Sequence, residues 1–299
     1  MYFGPPPQDI PTEVWSVVPD EIRNAKPRAK KGKPKVFLEG PSFDRQGNLY
    51  CVDIPFGRIL RITPDKQWDV VAEYDGEPNG LKIHKDGRIF IADHHHGIML
   101  LDPVRGTVEP FLESGTAKDR FKGCNDLIFA KNGDMYFTDQ GGTGLHDPTG
   151  CVYRYTAAGR LECLIDTIPS PNGIVFNVRE TEVFVAVTRA NSVWRIPLDD
   201  TRGISKVGLF VQLFSPGPDG LALDEAGNVI VTHPGMGYVW VFSKRGEPLY
   251  CVKSCGGRST TNIAYGGEDR KTLYIVDSRD NQILTAKMPV AGKMMYSHM

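Results

Sequence analysis

The chain has 299 residues, and its 35 Lys and Arg side chains nearly balance its 36 Asp and Glu side chains, which leaves a net charge of −1. This balance provides no overall field for nucleic acid or for an anionic membrane, so we expect neither as a partner. The longest apolar runs, such as residues 97–101, are far shorter than the roughly 20 residues that cross a bilayer. The sequence therefore predicts a soluble globular protein whose function depends on a local site.

Two features favour a reducing compartment. The first residues lack the positive start and the unbroken apolar stretch of a secretion signal, so we expect a cytoplasmic location. The six cysteines form no C-x-x-C pair of the kind that binds zinc, and we expect free thiols. No feature of the sequence sets an oligomeric state.

Residues 1–35 form an N-terminal arm. Within the arm, residues 14–18 (VWSVV) have the β-branched and aromatic composition of a strand, which we expect to complete the last repeat and close the fold. The rest of the arm carries six basic side chains within ten residues, a composition typical of an exposed, solvated loop. These residues are Lys26, Arg28, Lys30, Lys31, Lys33 and Lys35.

Residues 36–299 contain one pattern six times. The units begin at Glu39, Glu77, Gly123, Ser170, Gly217 and Ser259. Aligning Pro41, Asn79, Asn125, Asn172, Asp219 and Thr261 gives spacings of 38, 46, 47, 47 and 42 residues. Such a period is typical of the blades of a β-propeller.

Each unit is a predicted antiparallel meander. A short apolar run leads into a tight turn, such as Asp86-Gly87 or Asn132-Gly133, and a β-branched strand follows the turn. No useful stretch has the 3.6-residue apolar period of an amphipathic helix. We therefore expect an all-β fold, a six-bladed β-propeller of four-stranded blades in a single domain, in preference to an open solenoid.

Polar side chains recur where the innermost strand of each unit begins. In a propeller these positions face one another at one end of the central channel. They bring together two carboxylates and three amides from Glu39, Asn79, Asn125, Asn172 and Asp219. An oxygen-only set without His or Cys suits Ca²⁺, Mg²⁺ or Mn²⁺. The alternative is that these are turn residues that hydrogen-bond their own backbone.

The same residues carry a resemblance to a known family. The motifs are residues 38–41 (LEGP), 124–127 (CNDL) with 136–139 (YFTD), 170–174 (SPNGI), 217–221 (GPDGL) and 261–267 (TNIAYGG). As an ordered set over about residues 36–288, they resemble the SMP-30/gluconolactonase family of six-bladed, metal-dependent lactonases. The resemblance implies that one divalent cation, usually calcium, is bound by Glu39, Asn125, Asn172 and Asp219.

The resemblance also implies hydrolysis of a small cyclic ester such as a sugar lactone. A cation would polarise the lactone carbonyl and stabilise the oxyanion of the tetrahedral intermediate. Asp219 is the predicted catalytic residue, acting as ligand and as proton acceptor from the attacking water, and a metal-activated water without a separate base is the alternative. Besides Ca²⁺, the ions Mg²⁺, Mn²⁺ and Zn²⁺ are candidates.

One departure from the family concerns substrate recognition. Some animal members have an Arg two residues before the Asn of the CNDL motif, where this chain has Gly123. We therefore expect other side chains at the rim to contact substrate, including a pair of histidines on alternate positions of a strand end. The predicted substrate-binding residues are Asn79, His94, His96, Arg120, Phe121, Asp139 (with Gln140 beside it) and His233.

Two further functions are compatible with the pattern. Polarising a P=O group needs the same open metal, so a phosphotriesterase-like hydrolase is one alternative. The other is a non-catalytic propeller that binds a ligand or a partner, because a fold does not fix a function.

Overall fold

The computed structural model describes residues 4–25, 35–113, 120–199 and 203–299. The predicted basic loop, apart from Lys35, lies outside these ranges. The N-terminal arm contributes strands β1 (Gln8–Pro11) and β2 (Glu13–Val17) and the short helix α1 (Asp20–Arg23).

Six antiparallel sheets follow. The first two blades contain β3 (Leu38–Phe43), β4 (Leu49–Asp53), β5 (Arg58–Ile62), β6 (Trp68–Glu73), β7 (Pro78–Ile83), β8 (Ile89–Asp93), β9 (Gly97–Asp102) and β10 (Thr107–Leu112). The third and fourth contain β11 (Cys124–Phe129), β12 (Met135–Asp139), β13 (Gly150–Tyr155), β14 (Leu161–Ile168), β15 (Pro171–Phe176), β16 (Glu182–Val187), β17 (Ser192–Asp199), β18 (Gly203–Ile204) and β19 (Gly208–Gln212). The fifth and sixth contain β20 (Leu221–Leu223), β21 (Val229–His233), β22 (Tyr238–Phe242), β23 (Pro248–Lys253), β24 (Thr260–Gly266), β25 (Thr272–Asp277) and β26 (Gln282–Lys287). Single 3₁₀ turns are formed by Ile54–Phe56, Thr188–Ala190 and Tyr296–His298.

The tight turns predicted from sequence connect the first and second strands of their blades. Gly87 and Gly133 have φ values of 91°, a conformation that residues with a side chain rarely adopt. Each turn reverses the chain so that the apolar side chains of both strands reach the same faces of the sheet.

The first strands of the six blades form a closed ring. Each of β3, β7, β11, β15, β20 and β24 contacts the first strand of the blade on either side. The core is divided among the gaps between blades, and six apolar clusters each join side chains of two neighbours; one contains Val52 and Ile59 from blade 1 with Leu81 and Met99 from blade 2. This arrangement confirms the six-bladed β-propeller, and it makes the ring of first strands the wall of a central channel.

The N-terminal arm closes the ring as predicted. Strand β2 pairs antiparallel with β26, with Glu13 opposite Thr285 and Val14 opposite Leu284, and so completes blade 6. Strand β1 was not anticipated; it pairs in parallel with β23 and adds a fifth strand to blade 5. The last blade is therefore built from the N-terminal arm and the last repeat, which ties the two ends of the fold together.

Residues 292–299 cover one end of the channel, which we call the far end. The ring of Tyr296 stacks on Phe129 and meets His84 edge-on, at centroid distances of 5.4 and 4.9 Å. The Arg45 guanidinium donates to the carbonyl oxygens of Ser297 and Met299, both at 2.8 Å. These contacts close the channel over a mainly apolar cavity of about 100 Å³.

Within the described ranges, no helix has the length and apolar character needed to cross a bilayer. All six cysteines have free thiols, and Cys251 is buried whereas Cys255 is exposed.

Candidate functional site

The innermost strands of five of the six blades carry a register shift where they begin, and β20 of blade 5 pairs with β21 without one. In β11, Cys124 pairs with Asp139 but Leu127 pairs with Phe137, so one extra residue is accommodated between them. The innermost strands β3, β7, β15 and β24 have a shift at the same place. A β-bulge of this kind re-aims a side chain, and bulges are frequent beside functional sites.

The register also corrects the alignment of the first unit. Leu38 pairs with Asp53, as Cys124 pairs with Asp139 and Pro171 with Val187. The residue after each of these is the equivalent one, so Glu39 holds the aligned position and Pro41 does not. We call this set the donor ring, and its members are Glu39, Asn79, Asn125, Asn172, Asp219 and Thr261.

A second ring lies one residue further along. Four of its positions are glycines because the neighbouring backbone approaches closely: a Cβ on Gly173 would lie 2.4 Å from the Asp219 carbonyl oxygen. Hydrogen bonds join the rings between blades, from Gly173 N to Asp219 O at 3.2 Å and from Gly220 N to Thr261 O at 2.8 Å. The second ring consists of Gly40, Gly80, Asp126, Gly173, Gly220 and Asn262. The end of the channel at the donor ring is called the mouth below.

Glu39 is buried at the mouth. One of its carboxylate oxygens accepts hydrogen bonds from Gly40 N at 3.0 Å and from Asn262 Nδ2 at 2.8 Å. Burial raises the pKa of Glu39 to about 7, although these hydrogen bonds and Thr261 oppose the rise. The carboxylate is therefore held in place where water does not stabilise its charge.

Asp219 is half-buried on the same ring, two blades away from Glu39. Desolvation raises its pKa well above the ordinary value, and the negative charges of Glu39 and Asp126 raise the pKa further. Asn262 lies between the two positions: its Nδ2 donates to Glu39 at 2.8 Å, and a Cβ on Gly220, the residue after Asp219, would lie 2.3 Å from the Asn262 Oδ1. Neither carboxylate forms an ion pair with a basic side chain among the described residues.

Two successive side-chain hydrogen bonds orient the amide of Asn125. Its Nδ2 donates to Gln140 Oε1 at 2.9 Å, and Gln140 Nε2 donates to Ser170 Oγ at 2.9 Å. Since the amide nitrogen is occupied, the amide oxygen is the atom left to face a ligand. Asn172, which is also buried, interacts with Asp219 and partly offsets the rise in the pKa of that carboxyl. Asn79, in contrast, is half-buried.

The chemistry of this set fits a hard divalent cation. Within the described ranges, no three His, Cys, Asp or Glu side chains are grouped so that they could hold a metal. The mouth instead combines two carboxylates with amide oxygens, which are ligands that Ca²⁺ accepts readily. Two carboxylates with raised pKa values and no basic partner also need a positive charge to remain ionised together.

Asp139 and His233 occupy a different repeated position, the last residue of the second strand. The Asp139 carboxylate accepts hydrogen bonds from Lys122 N at 2.9 Å and from Gly123 N at 2.7 Å. His233 Nδ1 accepts from Trp240 Nε1 at 3.1 Å, so Nε2 carries the proton and donates to Pro216 O at 2.6 Å. Each side chain thus fixes the segment that leads into its donor-ring residue, and a contact with substrate stays a prediction for both.

The histidines at residues 94–96 form a turn and not a strand end, so the premise that alternate side chains share a face is wrong. The Asp93 carboxylate closes this turn by accepting from His95 N and His96 N, both at 2.8 Å. The His96 ring meets Asp75 O at 2.6 Å. His94 instead packs over Gly123, where an added Cβ would lie 2.4 Å from its ring.

Arg120 and Phe121, the other two residues predicted to contact substrate at the rim, lie in different environments. Arg120 is exposed. Phe121 is half-buried and packs edge-on against Phe137 and Tyr153 at centroid distances of 5.3 and 5.2 Å, which places it in the core between blades. A role in substrate binding stays a prediction for both residues.

Sequence reasoning missed three polar residues of the channel, Asp126, Asn262 and Lys82. Asp126 is buried and pairs with Lys82, with 3.6 Å between Oδ1 and Nζ. A signal was available: Asp126 and Asn262 occupy second-ring positions at which the other four units have glycine. A polar side chain where the backbone otherwise requires glycine indicates a specific role.

The protein is thus a closed six-bladed propeller with oxygen-bearing side chains at the mouth of its channel. Residues 37–279 match the family described as SMP-30/Gluconolactonase/LRE-like region, and the chain belongs to this family.

Named relatives and solved structures agree with this assignment. The chain is 31% identical over 265 residues to a lactonase drp35 of Staphylococcus aureus, with 81% of each chain covered. It is 30% identical over 278 residues to a gluconolactonase of Zymomonas mobilis, covering 82% of this chain and 77% of the relative. A solved regucalcin of Agrobacterium tumefaciens, described as a calcium-binding protein, shares the fold with a TM-score of 0.79 at 20% identity, over 98% of this chain and 99% of the other.

Proposed function

We propose that this protein is a lactonase that opens a small cyclic ester, such as a sugar lactone, with the help of one divalent cation at the mouth, most simply Ca²⁺. The observation that carries the proposal is that Glu39 and Asp219 hold equivalent positions on the ring of first strands, on either side of Asn262, without a basic partner among the described residues. The names of two relatives, lactonase and gluconolactonase, support the reaction type.

Four residues would hold the cation: Glu39, Asn125, Asn172 and Asp219. When bound, a divalent cation supplies a Lewis acid that polarises the lactone carbonyl and offsets the charge of the oxyanion. Gln140 would keep the Asn125 amide oxygen pointed at this position, and Asn262 would hold the Glu39 carboxylate in place.

Asp219 would act on the attacking water. It accepts a proton as the water oxygen forms its bond to the carbonyl carbon, and the ring C–O bond then breaks. The proton is passed to the departing alkoxide, so the product is a hydroxy acid and Asp219 returns to its carboxylate form. Asn79 and His94 at the mouth would orient the lactone by hydrogen bonds to its polar groups.

The experiment is hydrolysis of a panel of sugar and aliphatic lactones before and after chelation. We expect chelated protein to lose activity and added Ca²⁺, Mg²⁺, Mn²⁺ or Zn²⁺ to restore it. Activity that survives complete removal of metal would contradict the role of the cation. Failure of every lactone, with metal-restored hydrolysis of a phosphotriester, would replace the substrate class and keep the site.

Asp219→Asn tests the base directly. The amide can still coordinate a cation but cannot take a proton, so we expect kcat to fall by a factor of about 10² to 10⁴ with a much smaller change in KM. Asp166→Asn, at an exposed position of β14, is the matched control and should retain activity. Near-normal turnover of Asp219→Asn would remove Asp219 from the mechanism.

A further inference from the structure

Below the two rings, a third ring of side chains lines the channel. Its members lie three residues after the donor ring in each blade and border the cavity in the channel; they are Ser42, Lys82, Ile128, Val175, Ala222 and Ala264. Five of these side chains are uncharged. Lys82 alone carries a charge in this ring. Among apolar and small neighbours, a charged group is costly unless it is paired with an opposite charge.

The partner of Lys82 lies one layer closer to the mouth. The Lys82 ammonium reaches Asp126 Oδ1 at 3.6 Å, and the two side chains are 23% and 3% exposed. The Asp126 backbone N donates a hydrogen bond to Thr138 Oγ1 at 3.1 Å, and Asp126 Oδ1 also accepts one from Leu127 N at 2.8 Å. The carboxylate is therefore fixed between the ammonium below and the donor ring above.

Asp126 acts electrostatically on the mouth. Its negative charge contributes to the raised pKa values of both Glu39 and Asp219. The channel thus holds three carboxylates whose charges act on one another, and one ammonium that lies 3.6 Å from Asp126. With Lys82 charged, the four side chains carry two net negative charges, which one divalent cation balances.

We propose that Lys82 is a positioning residue whose ammonium serves as a built-in cation: it neutralises Asp126 and thereby matches the charge of the channel to a single divalent ion. This inference rests on the proposed function, because it assumes that the mouth binds a cation. Lys82 is not itself a ligand in this arrangement, and it touches no reacting atom.

The proposal predicts how affinity depends on ion charge. Removing the ammonium leaves one additional uncompensated negative charge beside the donor ring, and the Coulomb energy gained by a bound ion is proportional to the charge of that ion. We expect Lys82→Met to raise the affinity for Ca²⁺ about tenfold and that for Tb³⁺, a trivalent ion of similar size, about thirtyfold. A purely structural role for Lys82 would not separate the two ions.

Four variants of the full chain form the experiment, with Ca²⁺ and Tb³⁺ binding measured by calorimetry at pH 8. Asp126→Asn leaves Lys82 unbalanced and should weaken Ca²⁺ binding about tenfold, by the same Coulomb argument. The double variant Lys82→Met with Asp126→Asn removes both charges together and should bind both ions like the unaltered protein. Lys82→Arg keeps the charge and should also do so.

The outcomes separate this inference from the proposed function. If the unaltered protein binds no divalent cation, the proposed function fails and the inference fails with it. If it binds one but Lys82→Met changes Ca²⁺ and Tb³⁺ affinity equally or not at all, only the inference is overturned. Should Lys82→Met not fold, comparing the double variant with Asp126→Asn alone still isolates the ammonium, whose removal must then strengthen Ca²⁺ binding about tenfold.

Discussion

The two ends of the channel are built by different physical means. At the mouth, polar side chains are positioned by β-bulges and by hydrogen bonds such as Asn262 Nδ2 to Glu39 Oε2 at 2.8 Å. At the far end, residues 292–299 are held by ring packing, with Tyr296 between His84 and Phe129, and by hydrogen bonds from the Arg45 guanidinium to two carbonyl oxygens of the segment. The mouth gathers charge that the protein does not neutralise, whereas the far end buries apolar surface.

This difference suggests that stability and chemistry can be altered separately. Buried apolar surface contributes directly to the free energy of unfolding. Two buried carboxylates with raised pKa values, in contrast, are a cost to the folded protein. Changes at the far end should therefore alter stability with little effect on the site, and changes at the mouth should do the reverse.

The largest stability effect is expected from Tyr296→Ala. The change removes a nearly buried ring that packs on Phe129 and His84, and such a truncation costs about 3 kcal/mol in the free energy of unfolding. Urea denaturation followed by fluorescence measures the loss.

Tyr296→Phe is the matched control. The Tyr296 hydroxyl is buried without a hydrogen-bond partner among the described residues, so its removal should change the free energy of unfolding by less than about 0.5 kcal/mol. In both variants, lactone turnover per folded molecule and Ca²⁺ affinity should be unchanged. A loss of Ca²⁺ affinity in folded Tyr296→Ala would show that the two ends are coupled after all.

For Gln140→Leu at the mouth we expect a loss of Ca²⁺ affinity with only a small loss of stability. Without the hydrogen bond from Asn125 Nδ2, the amide can rotate its nitrogen towards the axis, and Ca²⁺ affinity should fall roughly tenfold. The free energy of unfolding should decrease by only about 1 kcal/mol. Titration with Ca²⁺ and urea denaturation measure the two quantities on one preparation.

Gln212→Leu provides the comparison for that variant. Gln212 also donates side-chain hydrogen bonds, to Ala190 O at 3.1 Å and Asn191 O at 2.7 Å, but it lies on β19, away from the first strands. We expect a similar small loss of stability and unchanged Ca²⁺ affinity. Equal Ca²⁺ affinities for the two leucine variants would argue against an orienting role for Gln140.

Much of the fold could be predicted because the signals are local. Turns such as Asn132-Gly133 and the β-branched strands after them depend on neighbouring residues, and their sixfold recurrence indicates closure. The strand at residues 14–18 was predicted for the same reason, and β2 confirms it. The donor ring could be aligned in five units, but the bulge in β3 displaced Glu39 from the simple alignment.

The pairings across blades could not be predicted in this way. Lys82 and Asp126 belong to blades 2 and 3, and their contact depends on how far each strand extends along the channel. The turn at residues 94–96 is another example. The Asp93 carboxylate accepts hydrogen bonds from two backbone amides, and the chain turns where the sequence pattern predicts the end of a strand. Side chains that hydrogen-bond nearby backbone groups compete with regular structure, and a hydrophobic pattern does not reveal that competition.

The smallest effects are expected at the rim, where His94 and His96 differ. His94 packs against Gly123, two residues before Asn125, so His94→Ala should raise KM for a sugar lactone about threefold to tenfold with a smaller change in kcat. His96 is turned to Asp75 O, and His96→Ala should leave both constants within about twofold. Steady-state kinetics on one lactone measures both variants. A larger KM effect for His96→Ala than for His94→Ala would place the substrate on the outer side of the turn, next to Asp75 and His96, and would contradict binding at His94.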